Sequence, residues 1–226
     1  MKWIYRILGV TVIVMLILEL FNQAWYNVFL CLLTLALFAI PSFIERTAKI
    51  NVPNVLEIII LFFIFAAEIL GEIRDYYTTF QYWDVILHTT NGFLCAAIGL
   101  SLINILNDSP KFAISLSPVF VALFAFCFSM TVGVLWEFFE FFMDSFFHTN
   151  MQKDTILPNG KIDIGLIDTI SDMFVNFIGA IISSMFGYFY VKRNYPKSFM
   201  RNFMLTKAIE NGEEIEPELL EDTEEI

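Results

Sequence analysis

Residues 133–147, GVLWEFFEFFMDSFF, combine the apolar side chains of a membrane-spanning helix with three acidic residues. Glu137, Glu140 and Asp144 recur at offsets of three and seven residues, which places all three on one face of a helix. A carboxylate exposed to hydrocarbon costs about 3 kcal/mol or more, so such residues usually serve a function inside a membrane. The stretch therefore predicts a membrane helix with one polar face turned away from lipid.

The composition of the whole chain is that of a helical membrane protein. Its mean hydropathy is +0.68, and only 16% of its residues are charged, against about 25% in soluble domains. A helix needs about 20 apolar residues to cross a bilayer, and runs of this length satisfy their backbone groups in lipid only as helices. The predicted fold is all-α, a polytopic membrane protein with six transmembrane helices near residues 3–22, 24–41, 55–73, 84–106, 117–144 and 166–191.

Basic residues indicate how these helices would be oriented. With six spans, ten of the 13 Lys and Arg residues fall on the side of both termini, and only Arg74, Lys153 and Lys161 fall on the other. Because cytoplasmic loops carry the excess of Lys and Arg, we expect both termini in the cytoplasm. The first run is too long for a signal peptide and lacks a small-residue cleavage site, so we expect a retained helix. The expected location is the bacterial plasma (inner) membrane.

Negative charge is concentrated at the C-terminal end. The net charge is −11, and residues 210–226 hold nine acids and no base. We therefore expect a transmembrane domain over 1–208 and an acidic, disordered cytoplasmic tail over 209–226. The chain has neither a Gly-rich phosphate loop nor a basic stripe, so its expected partner is the lipid bilayer and not a nucleic acid. The oligomeric state is left open.

In this orientation, polar residues collect in the outer halves of four predicted helices. They are Glu68 and Glu72 on the third, Asp84 and His88 on the fourth, Glu137 and Glu140 on the fifth, and Asp168, Asp172 and Asn176 on the sixth. Only Arg74 is near enough along the chain to neutralise them, and so many carboxylates cannot all stay ionised in a low dielectric without protons or a bound cation. We expect a cavity that opens outward.

Several carboxylates and one imidazole form an oxygen-rich ligand set. Such a set suits a divalent ion such as Mg, Mn, Ca or Zn, although no fixed motif such as HExxH is present. Two structural readings stay open beside this one. Asp84 and Asp168 each begin a helix and could cap it, and the deeper residues could form a hydrogen-bond network without an ion.

Two stretches of the chain echo one another. Aligning DVILHTTNGF (84–93) with DTISDMFVNF (168–177) by their first aspartates superposes His88 on Asp172 and Gly92 on Asn176. Each stretch follows a helix that carries acidic residues near its end. If the echo is a repeat, its two hairpins are parallel and the polar site lies between them.

Three motifs resemble a known family. YWDVILHTTNGF (82–93), LWEFFEFFMD (135–144) and DTISDMFVNFIG (168–179) are similar to the YjdF-like bacterial inner-membrane proteins, over about residues 55–190. The chain is more distantly similar to the VanZ-like proteins, whose Asp-x-x-x-His and Asp-x-x-x-Asn-x-x-Gly motifs are matched here by Asp84, His88, Asp172, Asn176 and Gly179. VanZ-like proteins usually have Glu-x-x-Gln where this chain has Glu137 and Glu140, and an Arg that is absent here. The resemblance implies a shared site without naming its activity.

These features predict a divalent-metal-dependent hydrolase or transferase that acts on a lipid or cell-envelope head group. The expected metal ligands are Asp84, His88, Glu137 and Asp172, the catalytic residues are Glu140 and Asp168, and the substrate-binding residues are Gln152 and Asn176. The alternatives are a proton- or cation-coupled transporter that uses the same carboxylates, and a non-catalytic envelope partner protein. The sequence does not decide whether the protein is an enzyme.

Overall fold

The computed structural model describes residues 2–107, 116–193 and 205–207, and these residues are mainly helical. In chain order the elements are α1 (Lys2–Phe21), α2 (Trp25–Ala48), β1 (Ile50–Asn51), α3 (Asn54–Ile64), a π-helix (Phe65–Ile73), α4 (Tyr76–Thr79), α5 (Trp83–Asn107), α6 (Pro118–Phe147), β2 (Thr155–Ile156), β3 (Ile162–Asp163), α7 (Leu166–Lys192) and β4 (Thr206–Lys207). The predicted acidic tail, 209–226, lies outside the described residues.

Five helices of the described part are long and apolar enough to cross a membrane: α1, α2, α5, α6 and α7. They coincide with five of the six predicted runs. The second run was expected to end near residue 41, but α2 continues through Pro41 to Ala48, since membrane helices tolerate an internal proline. The third run is helical from Asn54 to Ile73, but it is divided where its α-helix becomes a π-helix at Phe65.

Helices α5 and α7 approach each other closely enough that only glycine fits at two positions. A Cβ added to Gly92 would overlap the carbonyl oxygen of Asn176, and one added to Gly179 would overlap the carbonyl oxygen of Thr89. Small residues at such crossings let helix backbones pack tightly in membranes. The close approach holds the N-terminal halves of α5 and α7 side by side.

The contacts also fix the relative direction of these helices. Gly92 lies against Asn176, and further along both helices Leu100 lies against Gly187, so α5 and α7 run in the same direction. Helix α6 packs against both, and the Ser129 hydroxyl donates a hydrogen bond of 2.8 Å to the Gly92 carbonyl. The two stretches that echo one another in sequence therefore lie in parallel on neighbouring helices.

A second group of helices packs beside this three-helix core. The apolar side chains of α1, α2, α3 and the π-helix form one buried cluster that includes Val12, Cys31, Phe38, Leu61 and Ile69. Helices α1 and α2 are joined by the short connection 22–24 and pack against each other as an antiparallel pair. This group provides the wall that faces the N-terminal turns of α5 and the C-terminal half of α6.

The last described residues return to the start of α3. Strand β4 pairs antiparallel with β1, with Ile50 opposite Lys207 and Asn51 opposite Thr206. Leu205 packs with Val52 and Leu56 at the same place. Because α1 and α2 are antiparallel, the beginning of α1 lies at this end of the bundle as well.

The outer surface of α6 is apolar and its inner surface is acidic. Glu137 and Glu140 are only 4% and 7% exposed, whereas Phe138, Phe141 and Phe142 are each more than half exposed. Phe139, which lies between them in sequence, is half-buried. The exposed aromatic face is what a helix needs where it contacts acyl chains, and it leaves the carboxyl groups facing the interior.

Candidate functional site

The centre of the site is formed by three side chains from α5 and α7. Asp84, His88 and Asp172 each offer one ligand atom, and these atoms lie within 4.8 Å of one another. His88 Nε2 is 3.4 Å from Asp84 Oδ1 and 3.7 Å from Asp172 Oδ2. The Asp84 and Asp172 carboxyl groups also contact each other. Two carboxyl groups in contact require a proton or a cation between them, so this trio can hold a metal ion.

Three further carboxyl groups surround this trio. Each of them interacts electrostatically with Asp84: Glu137, Glu140 and Asp168. Asp168 also interacts electrostatically with Asp172. Glu137 Oε2 and Glu140 Oε2 are buried and have no hydrogen-bond partner among the described residues. Buried polar atoms in native proteins are normally paired, so these two oxygens are free to bind a ligand.

Helix α6 also orients Glu140. The indole nitrogen of Trp136, one turn earlier on the same helix, donates a hydrogen bond of 2.9 Å to Glu140 Oε1. This bond fixes one carboxyl oxygen and leaves Oε2 available. A carboxyl group held in this way is suited to accept a proton from water or a substrate.

Asn176 lies deeper than the trio, where α5, α6 and α7 meet. Its side-chain oxygen accepts a hydrogen bond of 2.9 Å from the Asn91 amide, and its own amide donates to Met130 Sδ at 3.6 Å. A Cβ at Gly133 would lie 2.7 Å from the Asn176 side-chain nitrogen. The residue is only 1% exposed, so the contacts favour a role in positioning the helices. Its predicted role in substrate binding stays a prediction.

The connection 148–165 covers the end of the bundle at which the trio lies. Asp144 organises this connection: its carboxyl oxygens accept hydrogen bonds from the Thr149 hydroxyl at 2.6 Å and from the backbone nitrogens of Met151 and Gln152 at 2.7 and 2.8 Å. Asp144, the third acid of residues 133–147, therefore binds the loop and not the trio. The Gln152 side chain donates to Thr169 Oγ1 at 2.7 Å, at the edge of the site.

Asp168 joins the same connection to α7. Its Oδ2 accepts a hydrogen bond of 2.9 Å from the Lys153 backbone nitrogen. At the start of α7, the carboxylate that accepts a hydrogen bond from the Ile167 backbone nitrogen, at 2.8 Å, belongs to Asp163 and not to Asp168. Asp168 thus ties the covering loop to the acidic cluster, and its predicted catalytic role stays a prediction.

Lys153 is a residue that sequence reasoning missed. It lies in the connection 148–165, and its ammonium group lies 2.7 Å from Glu72 Oε1 on the π-helix. The Tyr26 hydroxyl donates to the other Glu72 oxygen at 3.0 Å, and the Tyr77 ring lies 5.3 Å from the same ammonium. Lys153 therefore connects the loop to the π-helix at the end of the bundle where the trio lies.

We expect Lys153→Met to destabilise the protein by about 1–3 kcal/mol, because the Glu72 carboxylate, whose side chain is 12% exposed, would keep the Tyr26 hydroxyl but lose its ammonium partner. The measurement is thermal unfolding in one detergent, with Lys161→Met in the exposed hairpin as the matched control. Equal unfolding midpoints for the two variants would show that the ion pair is screened by solvent and contributes nothing.

A cavity of about 280 Å³ lies between the trio and the second group of helices. Its polar lining residues are Glu68, Tyr77, His88 and Asn91, and its apolar ones include Leu37, Ile64, Ala67, Val132 and Leu135. Glu68 is 2% exposed and its Oε2 has no hydrogen-bond partner among the described residues. Burial and the neighbouring carboxylates raise the pKa of Tyr77 well above its ordinary value, so its hydroxyl stays a hydrogen-bond donor at neutral pH.

The π-helix is held from α5. The Trp83 indole nitrogen donates to the Ala66 carbonyl at 3.3 Å, and Gly71 lies directly against the Tyr77 ring. π-Helical segments are rare in proteins, and those that occur often lie at functional sites. Here the segment positions Glu68 at the cavity and Glu72 at Lys153. The described structure thus brings Asp84, His88 and Asp172 into contact and sets the other acids around them.

Residues 4–193 match the family described as "Predicted membrane protein (DUF2238)". The chain belongs to this family. An "Uncharacterized protein" of Thermotoga maritima is similar to it, at 26% identity over 139 residues, which are 62% of this chain and 65% of the relative. No solved structure matches the chain. The DUF2238 match and the five apolar helices establish an integral membrane protein, and the family description names no reaction.

Proposed function

We propose that this DUF2238 member is a metal-dependent hydrolase or transferase that acts on a lipid or cell-envelope head group at the outer face of the plasma membrane. The observation that supports this most is the trio Asp84, His88 and Asp172, with three ligand atoms within 4.8 Å. Glu137 would be the fourth ligand, since its free Oε2 is buried beside the trio. One imidazole with several carboxylates suits Mg, Mn or Zn better than a thiolate-seeking metal.

The other residues of the site would have separate roles in the reaction. A divalent ion would polarise a head-group oxygen and bind water. Glu140, oriented by Trp136, would accept a proton from the attacking water or alcohol. Asp168 and Gln152 would hold the covering loop against the bound head group, and the loop would limit the access of bulk water.

The metal site predicts a clear result for one double variant. After loading with Mg, Mn, Ca or Zn, the purified protein should retain about one ion per chain, and Asp84→Asn/His88→Ala should bind at least about 100-fold more weakly. The matched control is Asp154→Asn/His148→Ala, which changes the same residue types in the exposed loop. Equal retention by both variants, or no stoichiometric ion in the parent protein, would overturn the metal site.

The reaction itself is tested with envelope lipids. The protein would be reconstituted with a bacterial lipid extract and a divalent ion, and water-soluble head-group products would be sought by mass spectrometry. We expect products that depend on both the ion and Asp84. A metal-replete protein that releases no product would exclude the hydrolase reading while leaving the metal site intact.

The full topology belongs to the same proposal. We propose six spans, with α3 and the π-helix together as the third, and both termini in the cytoplasm. The chain start and residues 205–207 lie at one end of the bundle, and the connection 148–165, which covers the trio, leads from α6 to α7. The resemblance to YjdF-like and VanZ-like proteins rests on residues at the end of the bundle where the trio lies.

We expect a reporter fused after Lys207 to read as cytoplasmic and one inserted at Gly160, in the exposed β2–β3 turn, to read as external. The reason is the ten-to-three division of basic residues between the two sides. A reporter after Lys207 that reads as external would reverse the orientation and move the site to the cytoplasmic face.

The transporter alternative has less support. A carrier needs polar groups along a path through the membrane, and the inner halves of α5, α6 and α7 contain no carboxylate. Their buried polar residues are small hydroxyls, such as Ser101 and Ser183. On these three helices, the carboxylates therefore lie no deeper in the membrane than Asp172, and the amide of Asn176 lies one turn beyond it.

A further inference from the structure

We propose that the cavity between α5, α6 and the second group of helices binds the hydrocarbon chain of an amphiphile, and that Glu68 receives a hydrogen-bond donor of its head group. This deepens the proposed function, on which it rests, by naming the substrate class: a lipid with a hydroxyl or ammonium group next to its chain. The head group would then lie beside His88, which lines the same cavity.

The lining of the cavity matches a chain with one polar end. Eight of its twelve lining residues are Leu, Ile, Val, Ala, Phe or Trp. The polar atoms belong to Glu68, Tyr77, His88 and Asn91, and His88 leads directly to Asp84 and Asp172. Ligand sites typically have this composition, mainly apolar with a few polar groups that fix orientation.

The volume and the position of the cavity favour one chain. An apolar cavity of about 150 Å³ holds a benzene molecule, so a cavity of about 280 Å³ accommodates a chain segment but not a whole two-chain lipid. Leu135 lines the cavity and is also 59% exposed on the apolar outside of α6. The cavity therefore reaches the surface that acyl chains cover, and a chain can enter from the bilayer.

Glu68 supplies the independent evidence for a ligand. It is 2% exposed, and its Oε2 lacks a partner among the described residues. A buried carboxyl oxygen without a partner costs free energy that a ligand donor would recover. Because the neighbouring Tyr77 hydroxyl is itself a donor, the cavity presents both kinds of hydrogen-bonding group to a head group.

The test uses the fluorescence of Trp136, which lines the cavity. In a Trp3→Phe/Trp25→Phe background, which keeps the Trp83 hydrogen bond to the Ala66 carbonyl, 10-bromodecan-1-ol should quench the fluorescence in a saturable manner that Trp136→Phe removes, since bromine quenches on contact. Ala67→Leu, which fills the cavity, should weaken binding at least about tenfold. The control is Leu123→Phe, on the exposed face of α6. Quenching that never saturates, or that is equal in Ala67→Leu, would show simple partitioning into detergent and overturn the proposal.

The role of Glu68 is tested by changing the head group of the probe. The parent protein should prefer the alcohol to its methyl ether, which has no donor, by about tenfold, and Glu68→Leu should remove this preference. A preference that survives in Glu68→Leu would refute the assignment of Glu68. The measurement is independent of metal, because Asp84→Asn/Asp172→Asn, which changes two residues outside the cavity lining, should still show saturable quenching. Loss of metal by that variant would bear on the proposed function alone.

Discussion

Glu137→Gln should weaken divalent-metal binding by about 100-fold or more while the protein still inserts and folds. Glutamine keeps the size of the side chain and removes the charge and one strong ligand oxygen. Glu137 Oε2 is buried and has no partner among the described residues, and the hydrogen bond of this carboxyl group with Thr169 can be kept by the side-chain oxygen of the glutamine. We expect the free energy of unfolding to change by less than about 1 kcal/mol.

The measurement is metal affinity by calorimetry, beside the yield of monodisperse protein from the membrane fraction. Glu57→Gln is the matched control, because Glu57 lies in the first turn of α3, at the opposite end of the bundle. Glu140→Gln separates the two predicted roles: it should abolish turnover while retaining the ion. If Glu137→Gln binds the ion as tightly as the parent protein, Glu137 is not a ligand.

Gly92→Ala should destabilise the bundle by about 3 kcal/mol or more, the upper part of the range for overpacked sites. The added methyl group would overlap the backbone of Asn176, and a backbone cannot move aside as a flexible side chain can. The helices α5 and α7 would have to separate, which would also move His88 away from Asp172.

The measurement is thermal unfolding in detergent, with Gly9→Ala as the control. Nothing lies within 4 Å of a Cβ added to Gly9, so that substitution should be neutral or slightly stabilising in its helix. A Gly92→Ala protein as stable as the parent would mean that the two helices are not held at the described separation.

The inward orientation of the α6 acids could be predicted from sequence because one energetic term dominates it. Exposing an ionised carboxyl group to lipid costs so much free energy that helical periodicity alone predicts which face carries Glu137 and Glu140. The contact between His88 and Asp172 was expected only in outline, from the echo of the two motifs. It depends on the glycines that let α5 and α7 meet, and sequence alone does not reveal which glycines lie at a crossing.

Contacts made by the covering loop could not be predicted in the same way. Lys153 reaches Glu72 because Asp144 folds the connection back over the bundle, and this path depends on tertiary contacts between distant residues. The Asn176 junction is similar, since its partners lie on two other helices. The change from α- to π-helix at Phe65 leaves no signature in hydrophobic periodicity, because the segment is apolar on most sides.

The π-helix between Phe65 and Ile73 affects how this chain should be aligned with its relatives. Its hydrogen bonds run to the fifth residue instead of the fourth, so the segment holds more residues per turn than an α-helix. A relative with one residue fewer here could form an uninterrupted α-helix and keep its later side chains on the same faces, whereas an α-helical relative of equal length would have them rotated by about 100°. Equivalence to Glu72 must therefore be judged by the face a carboxylate occupies, not by its column in an alignment.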